Sequence, residues 1–381
     1  MNKIITKLLF AATIMLAVSG CNLRKSEVKE IDYSLIPYAV RTPGEKDRLG
    51  YMDTKGNTVI EPSFTDAWLF SDGLAQVRAL DVPLRGFIDK TGKIVIPTFY
   101  DNATMFFNER AFVHAPGQPI ACINTTGKVV FELPDIIEAG FFGENLAPVC
   151  DANKKWGYVN TEGEMVIKPQ YDDAQSFSEG LAAVRMGDEY GYINHEGQYV
   201  INPQFYVADA FSCGYAQVKK TKYSSYYDYI NQKGKIVSDK FEGGFNHISE
   251  NKLLCVYGPT RTESKKMIIR NHRGDSIAST QYFERAGVFS EGLCWVEYNK
   301  KSGFINTKGL LAVNPIYDNA SNFHEGVAVV AVDGKYGLID TKGNYIVEPQ
   351  YFFIGSAPHF KGAGSESRLK TYMYQWRCKK L

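Results

Sequence analysis

Cysteine, histidine and carboxylate side chains are the groups in this chain that could do chemistry, and their spacing argues against most of it. The seven cysteines, Cys21, Cys122, Cys150, Cys213, Cys255, Cys294 and Cys378, come no closer than 28 residues to one another. No CxxC metal or redox motif is formed. Cys150, Cys255 and Cys294 stand beside a recurring valine in apolar runs, where a free thiol behaves as a small hydrophobe. Buried structural thiols are expected at the six positions after Cys21, with disulfide pairing the alternative. Six histidines (His114, His195, His247, His272, His324 and His359) make no HExxH, and there is no GxSxG, GxGxxG or P-loop. A Glu or Asp returns in segments such as Phe177-Ser178-Glu179-Gly180 and Phe289-Ser290-Glu291-Gly292. Catalytic carboxylates work in unequal environments, whereas these occupy equivalent places, as turn acceptors would. The turns rich in Asp and Asn lack the bidentate Glu of a calcium loop. No catalytic residue, no metal site and no cofactor are expected.

Cys21 is the exception. It ends the stretch Val18-Ser19-Gly20-Cys21, behind a basic start (Lys3, Lys7) and the apolar run Leu8–Val18. That run is shorter than the roughly 20 apolar residues a bilayer core requires and suits the h-region of a signal peptide. The small residues before the thiol resemble a bacterial lipobox, in which the cysteine takes up diacylglycerol and becomes residue one. Residues 1–20 are therefore expected to be a signal peptide and 21–35 a lipidated tether. Their removal takes two of the 43 basic residues and leaves 41 against 42 acidic, a net charge of −1. A near-neutral chain has no general attraction for a polyanion, so no nucleic-acid partner is expected.

The groups described so far must be held by a repeat. An Asp or Asn is followed three residues later by Gly at Gly56, Gly92, Gly127, Gly163, Gly197, Gly234, Gly274, Gly309 and Gly343, with 34 to 40 residues between successive glycines. Nine returns at a nearly fixed period identify tandem units. Each unit offers a strand A (Gly180-Leu-Ala-Ala-Val184), a strand B (Tyr190-Gly-Tyr-Ile-Asn194), the turn to Gly197 and a strand C from Tyr199. A short fourth strand is expected in segments such as Tyr171–Phe177. The Asx side chain caps the turn and the glycine supplies its left-handed residue. Prolines at 62, 97, 134, 169, 203, 315 and 349 are expected to end strand C, since proline cannot donate to a ladder.

Trp156-Gly157-Tyr158-Val159-Asn160-Thr-Glu-Gly163, together with Pro169-Gln-Tyr171-Asp and Phe177-Ser-Glu-Gly180-Leu-Ala-Ala-Val184, resembles the bacterial WG repeat family over roughly residues 36–355. Other units replace the Trp, as in Tyr190-Gly191, Tyr336-Gly337, Leu49-Gly50, Arg85-Gly86 and Ser302-Gly303. The third, sixth and seventh units lose the Gly, having Ala121, Asp228 and Ile268. The resemblance implies a β-repeat and a cell-envelope setting. It implies no activity and no site residue.

The expected fold is all-β: tandem β-meanders of about 35 residues over 36–355, a propeller-like array favoured over an open solenoid. Residues 356–381 are expected to close or cap it, with Tyr372–Cys378 as the last strand. The expected role is a non-enzymatic envelope binding or scaffold lipoprotein. The alternatives are an envelope hydrolase or sugar-processing enzyme on the same scaffold, and a structural spacer. Its partners are the membrane, through the lipid, and an envelope protein or glycan. A periplasm-facing outer-membrane location is favoured over the cell surface, because no acidic run follows Cys21. A ligand surface is expected where the A–B connection lengthens in two consecutive units, bringing Tyr223, Tyr226 and Tyr227 beside Arg261, Lys265 and Lys266.

Cys21→Ala should abolish incorporation of labelled palmitate and leave the protein unprocessed or released from membranes. A variant that is still cleaved and membrane-bound would refute the lipobox reading.

Overall fold

A computed structural model describes residues 31–41, 47–80, 82–224, 227–237, 249–257, 266–271 and 273–355. Cys21 and the Tyr372–Cys378 segment lie outside these residues. Among them, all regular secondary structure is β.

The unit seen in the sequence folds as an antiparallel blade. In the fifth, a two-residue inner strand, Asp173–Ala174, pairs with strand A (Ala182–Met186), A with B (Glu189–Ile193), and B with C (Tyr199–Phe205). The expected fourth strand is thus real but very short, and it pairs with strand A of the next repeat. The A and B runs are buried on both faces because each blade is covered by a neighbour on either side. Strand C lies at the outer edge, with Val166 and Val200 exposed.

Nine blades follow. Thr58–Ala67 runs through as strand C of the first and inner strand of the second, joining these two into one seven-stranded sheet. Seven sheets of three or four strands make up the rest. The inner strand of the first blade comes from the far end of the array, Phe353–Ile354, which pairs Tyr38 with Ile354 and Ala39 with Phe353. Gly355 N–H donates to the Pro37 carbonyl at 2.8 Å. Ile36, Tyr38 and Met52 share a core with Val327, Leu338, Val347 and Ile354. The array is a closed, propeller-like ring, and among the described residues it is Phe353–Ile354 that closes it.

Each B–C turn is built alike. The Asn160 Oδ1 accepts the amides of Glu162 and Glu164 at 3.1 and 2.8 Å, and Gly163 N–H donates to the Asn160 carbonyl at 3.2 Å. All nine turn glycines have positive φ, from 74° to 93°. Here they do a second job. A Cβ on Gly197 would sit 3.3 Å from Ile167 of the preceding blade, and one on Gly56 would sit 2.4 Å from Val347 of the last. The contact that joins consecutive blades also joins the first to the ninth.

The prolines require a correction. Strand C does not end at them: Met165–Tyr171 runs through Pro169, and Tyr199–Phe205 through Pro203. Trp156 pairs with Tyr171 and Tyr158 with Ile167, so three residues of strand C bulge opposite Gly157 alone. Proline is tolerated at such a bulge because no ladder bond is asked of it. The glycine makes room, since a Cβ on Gly157 would lie 2.3 Å from the Ile167 carbonyl oxygen and 2.6 Å from the Pro169 nitrogen. Ala121 stands at this place in the third unit, whose strand C pairs without that bulge and stops at Leu133, before Pro134.

Gly157→Ala should therefore destabilise the protein by about 1–3 kcal/mol or more through backbone overpacking. Gly180→Ala, where φ is +84° but nothing lies within 4 Å, should cost about 1–2 kcal/mol. Denaturant unfolding of the two variants checks the order.

Candidate functional site

The recurrent carboxylates sit in the tight turns that precede strand A, and these turns gather around the ring axis. Glu144 Oε2 accepts Gly180 N–H at 3.0 Å, Glu179 accepts Gly214 N–H at 2.8 Å, Glu250 accepts Gly292 N–H at 3.0 Å and Glu291 accepts Gly326 N–H at 2.8 Å. Each carboxylate thus binds the backbone of the following repeat. The serine before it does likewise: Ser178 Oγ donates to the Phe211 carbonyl at 2.9 Å and Ser290 Oγ to that of Phe323 at 2.6 Å. These groups form a belt of inter-blade bonds.

The N-terminal segment enters this axial region. Ile31–Asp32 pairs with Phe70–Ser71, and Ile31 and Tyr33 pack against a core containing Leu69 and Met105. Burial raises the Asp32 carboxyl, but the bonds from Lys90 and Ser34 outweigh it and hold the group below its usual range. Tyr33 lies flat on His324 of the ninth blade, with ring centroids 3.8 Å apart and planes 1° from parallel.

Beside this stack is a cavity of about 430 Å³ at the inner end of the ninth blade, where the ring closes. Its walls include Tyr33, Trp295 of the eighth blade, Asn319, Asn322 and His324 of the ninth, and the closing Phe353. Trp295 is cradled by Gly287, where a Cβ would meet its Nε1 at 2.1 Å. Ser321 Oγ is committed, accepting Val329 N–H and donating to the Asn322 carbonyl, both at 2.9 Å. Asn319 Oδ1 accepts Ala320 N–H at 2.8 Å. Asn322 Oδ1 is buried and meets no donor.

The residues expected to form a ligand surface are only partly described. Tyr223 is 82% exposed, with Lys222 Nζ 5.0 Å from its ring, and Lys219 Nζ lies 4.6 Å from the ring of Tyr227. Lys266 opens a strand, paired with Tyr257. Tyr226, Arg261 and Lys265 lie outside the described residues. The axial cavity was not anticipated, because Tyr33, Trp295, Asn322 and Phe353 share no motif. Two signals were in the sequence: Trp295 before the strand-A valine with Gly287 ahead of it, and His324 where other units have Ser.

Among the cysteines, Cys122, Cys150 and Cys294 are free and buried. Burial pushes the thiols of Cys122 and Cys294 up to about 12. Cys213 departs from the expected buried thiol and is disulfide-bonded. It stands in a tight turn at φ 53°, in the place of the recurrent carboxylate, rather than in a strand core. Among the described residues, no three His, Cys, Asp or Glu side chains gather as metal ligands would.

The family model of the WG containing repeat matches residues 50–79, 86–113, 156–190, 190–223, 282–301, 303–336 and 336–356, more than half of the chain. The chain belongs to the WG repeat family. The unmatched stretches contain Ala121, Asp228 and Ile268, the places where the strand-B glycine is lost. No curated protein matches the chain in sequence. A eukaryotic initiation factor superposes with a TM-score of 0.58 at 12% identity, over 85% of this chain and 100% of its own. That likeness is one of fold alone. The computationally designed Ika8 protein (TM-score 0.36, 11% identity, 77% of this chain and 87% of its own) and Kluyveromyces lactis Hsv2p (0.37, 8%, 61% and 89%) superpose too loosely to carry an argument.

Cys122 and Cys294 should resist alkylation at pH 8 in the folded protein and react fully in denaturant. Rapid labelling of either in the native state would contradict the burial.

Proposed function

We propose that this WG repeat protein is a non-enzymatic binding or scaffold protein of the bacterial cell envelope. It is held by a lipid on Cys21, on the periplasm-facing side of the outer membrane, and has an envelope protein or glycan as partner. One observation carries the non-enzymatic part. The carboxylates that recur around the axis are spent on backbone amides of the next repeat, so they are structural acceptors rather than a free acid–base pair. The axial cavity favours a binding protein over a plain spacer, because it brings unlike polar and aromatic groups together.

The test compares Glu179→Gln and Glu291→Gln with the parent for turnover of envelope polysaccharides and peptides, and for stability. Each substitution is expected to cost about 1–3 kcal/mol of stability, with no turnover by parent or variant. Turnover by the parent that one carboxylate substitution abolishes would overturn the reading.

A further inference from the structure

From the axial cavity we infer that the ring binds a neutral saccharide at its closing seam, with Asn322 Oδ1 accepting a ligand hydroxyl. The site deepens the binding reading above and names its ligand class. No Asp, Glu, Lys or Arg lines the cavity. An ion placed there would lose its hydration without a counter-charge, so the ligand is uncharged. The volume of about 430 Å³ lies within the range of small-molecule sites and far exceeds the share of one water, about 30 Å³. A buried acceptor without a donor is unusual in a folded protein, and Asn322 Oδ1 is such an atom at the wall of this space. The neighbouring Ser321 hydroxyl and Asn319 Oδ1 already have backbone partners, so a donor for Asn322 must come from the cavity itself.

The walls distinguish a sugar from a flat aromatic ligand. A nucleobase is held best between parallel rings. Here Tyr33 and His324 are stacked on each other, and Tyr336 meets Phe353 at a tilt of 62°, centroids 5.9 Å apart. What remains is a set of apolar ring surfaces, including Trp295, facing amides. A pyranose matches that combination, with C–H faces for the aromatic side chains and an equatorial hydroxyl for Asn322.

The experiment titrates the full mature chain with cellobiose, maltose and N,N′-diacetylchitobiose, with adenosine alongside. Calorimetry and tryptophan fluorescence report binding. At least one saccharide is expected to bind saturably, once per chain, and to raise the melting temperature of the parent. Asn322→Ala should weaken that binding about tenfold through loss of the hydrogen bond, and Trp295→Leu should weaken it through loss of the ring surface. If Asn322→Ala proves unstable, Asn322→Asp, of the same shape but charged, should lose binding too. Absence of saccharide binding by the folded parent, or binding indifferent to both sites, would overturn the inference. Adenosine bound in an Asn322-dependent way would overturn the saccharide assignment and leave the binding reading standing. Hydrolysis of the bound saccharide would do the reverse.

Discussion

The blade depends on an atom that is absent. Strand B of most units carries glycine at its second or third residue, and the backbone of strand C fills the place a Cβ would take, 2.3 to 2.6 Å away at six positions. That approach lets strand C bulge around its proline and still return to the ladder, so Tyr171 pairs with Trp156 beyond the bulge. The returning half carries aromatic residues inward: Tyr171 and Phe205 are buried, while Lys168 and Gln170 beside them are exposed. Without the bulge, the ladder stops early, as it does at Leu133. A family defined by Trp-Gly is thus defined, in physical terms, by its glycine. The aromatic before it is replaceable, and in this chain Leu, Arg, Tyr and Ser stand there.

A second dependence runs between blades. A three- or four-stranded meander has two apolar faces and can bury neither alone. Each turn glycine rests on the strand-C Ile or Val of its predecessor, each turn serine bonds a carbonyl of its successor, and each glutamate holds the amides after it. The bonds are directional, so an open array would leave one end with unused acceptors and the other with bare glycine turns. Closure removes both ends. Nine units exceed the four to eight blades usual for propellers, and the short period fits this. The inner strand is only two residues long in most blades, so the blades leave a wide axis, and Tyr33 and its neighbours help to fill it.

Local rules made much of this legible. The Asx-x-x-Gly turns and three strands per unit follow from side chains that act on their own backbone, within four residues of themselves. The prolines were misread for the same reason. Proline does break a ladder, but whether a strand ends or bulges there depends on the residue across the sheet, Gly157 for Pro169 and Gly191 for Pro203. Closure by Phe353–Ile354 joins residues more than 300 positions apart from their partners Tyr38 and Ala39, which no local pattern records. The cavity is of the same kind. Its aromatic and amide groups come from the first, eighth and ninth units and from the segment before them, and only the ring makes them neighbours.

Repetition also constrains where function can reside. A residue that recurs at every blade meets nine similar environments, and the ring already uses such residues for its own bonds. A ligand needs one place unlike the rest. The ring provides it where its regularity fails: at the closing seam, His324 replaces serine, Trp295 requires a glycine opposite, and the entering chain lays Tyr33 across the axis. Asn322 owes its unmet acceptor to this break. At the equivalent step in the fifth blade stands Ser176, whose hydroxyl donates to the Phe141 carbonyl of the preceding turn at 2.8 Å. Where the repeat satisfies its polar groups, the chain has no need of a ligand; at the seam it leaves one acceptor for something else to fill.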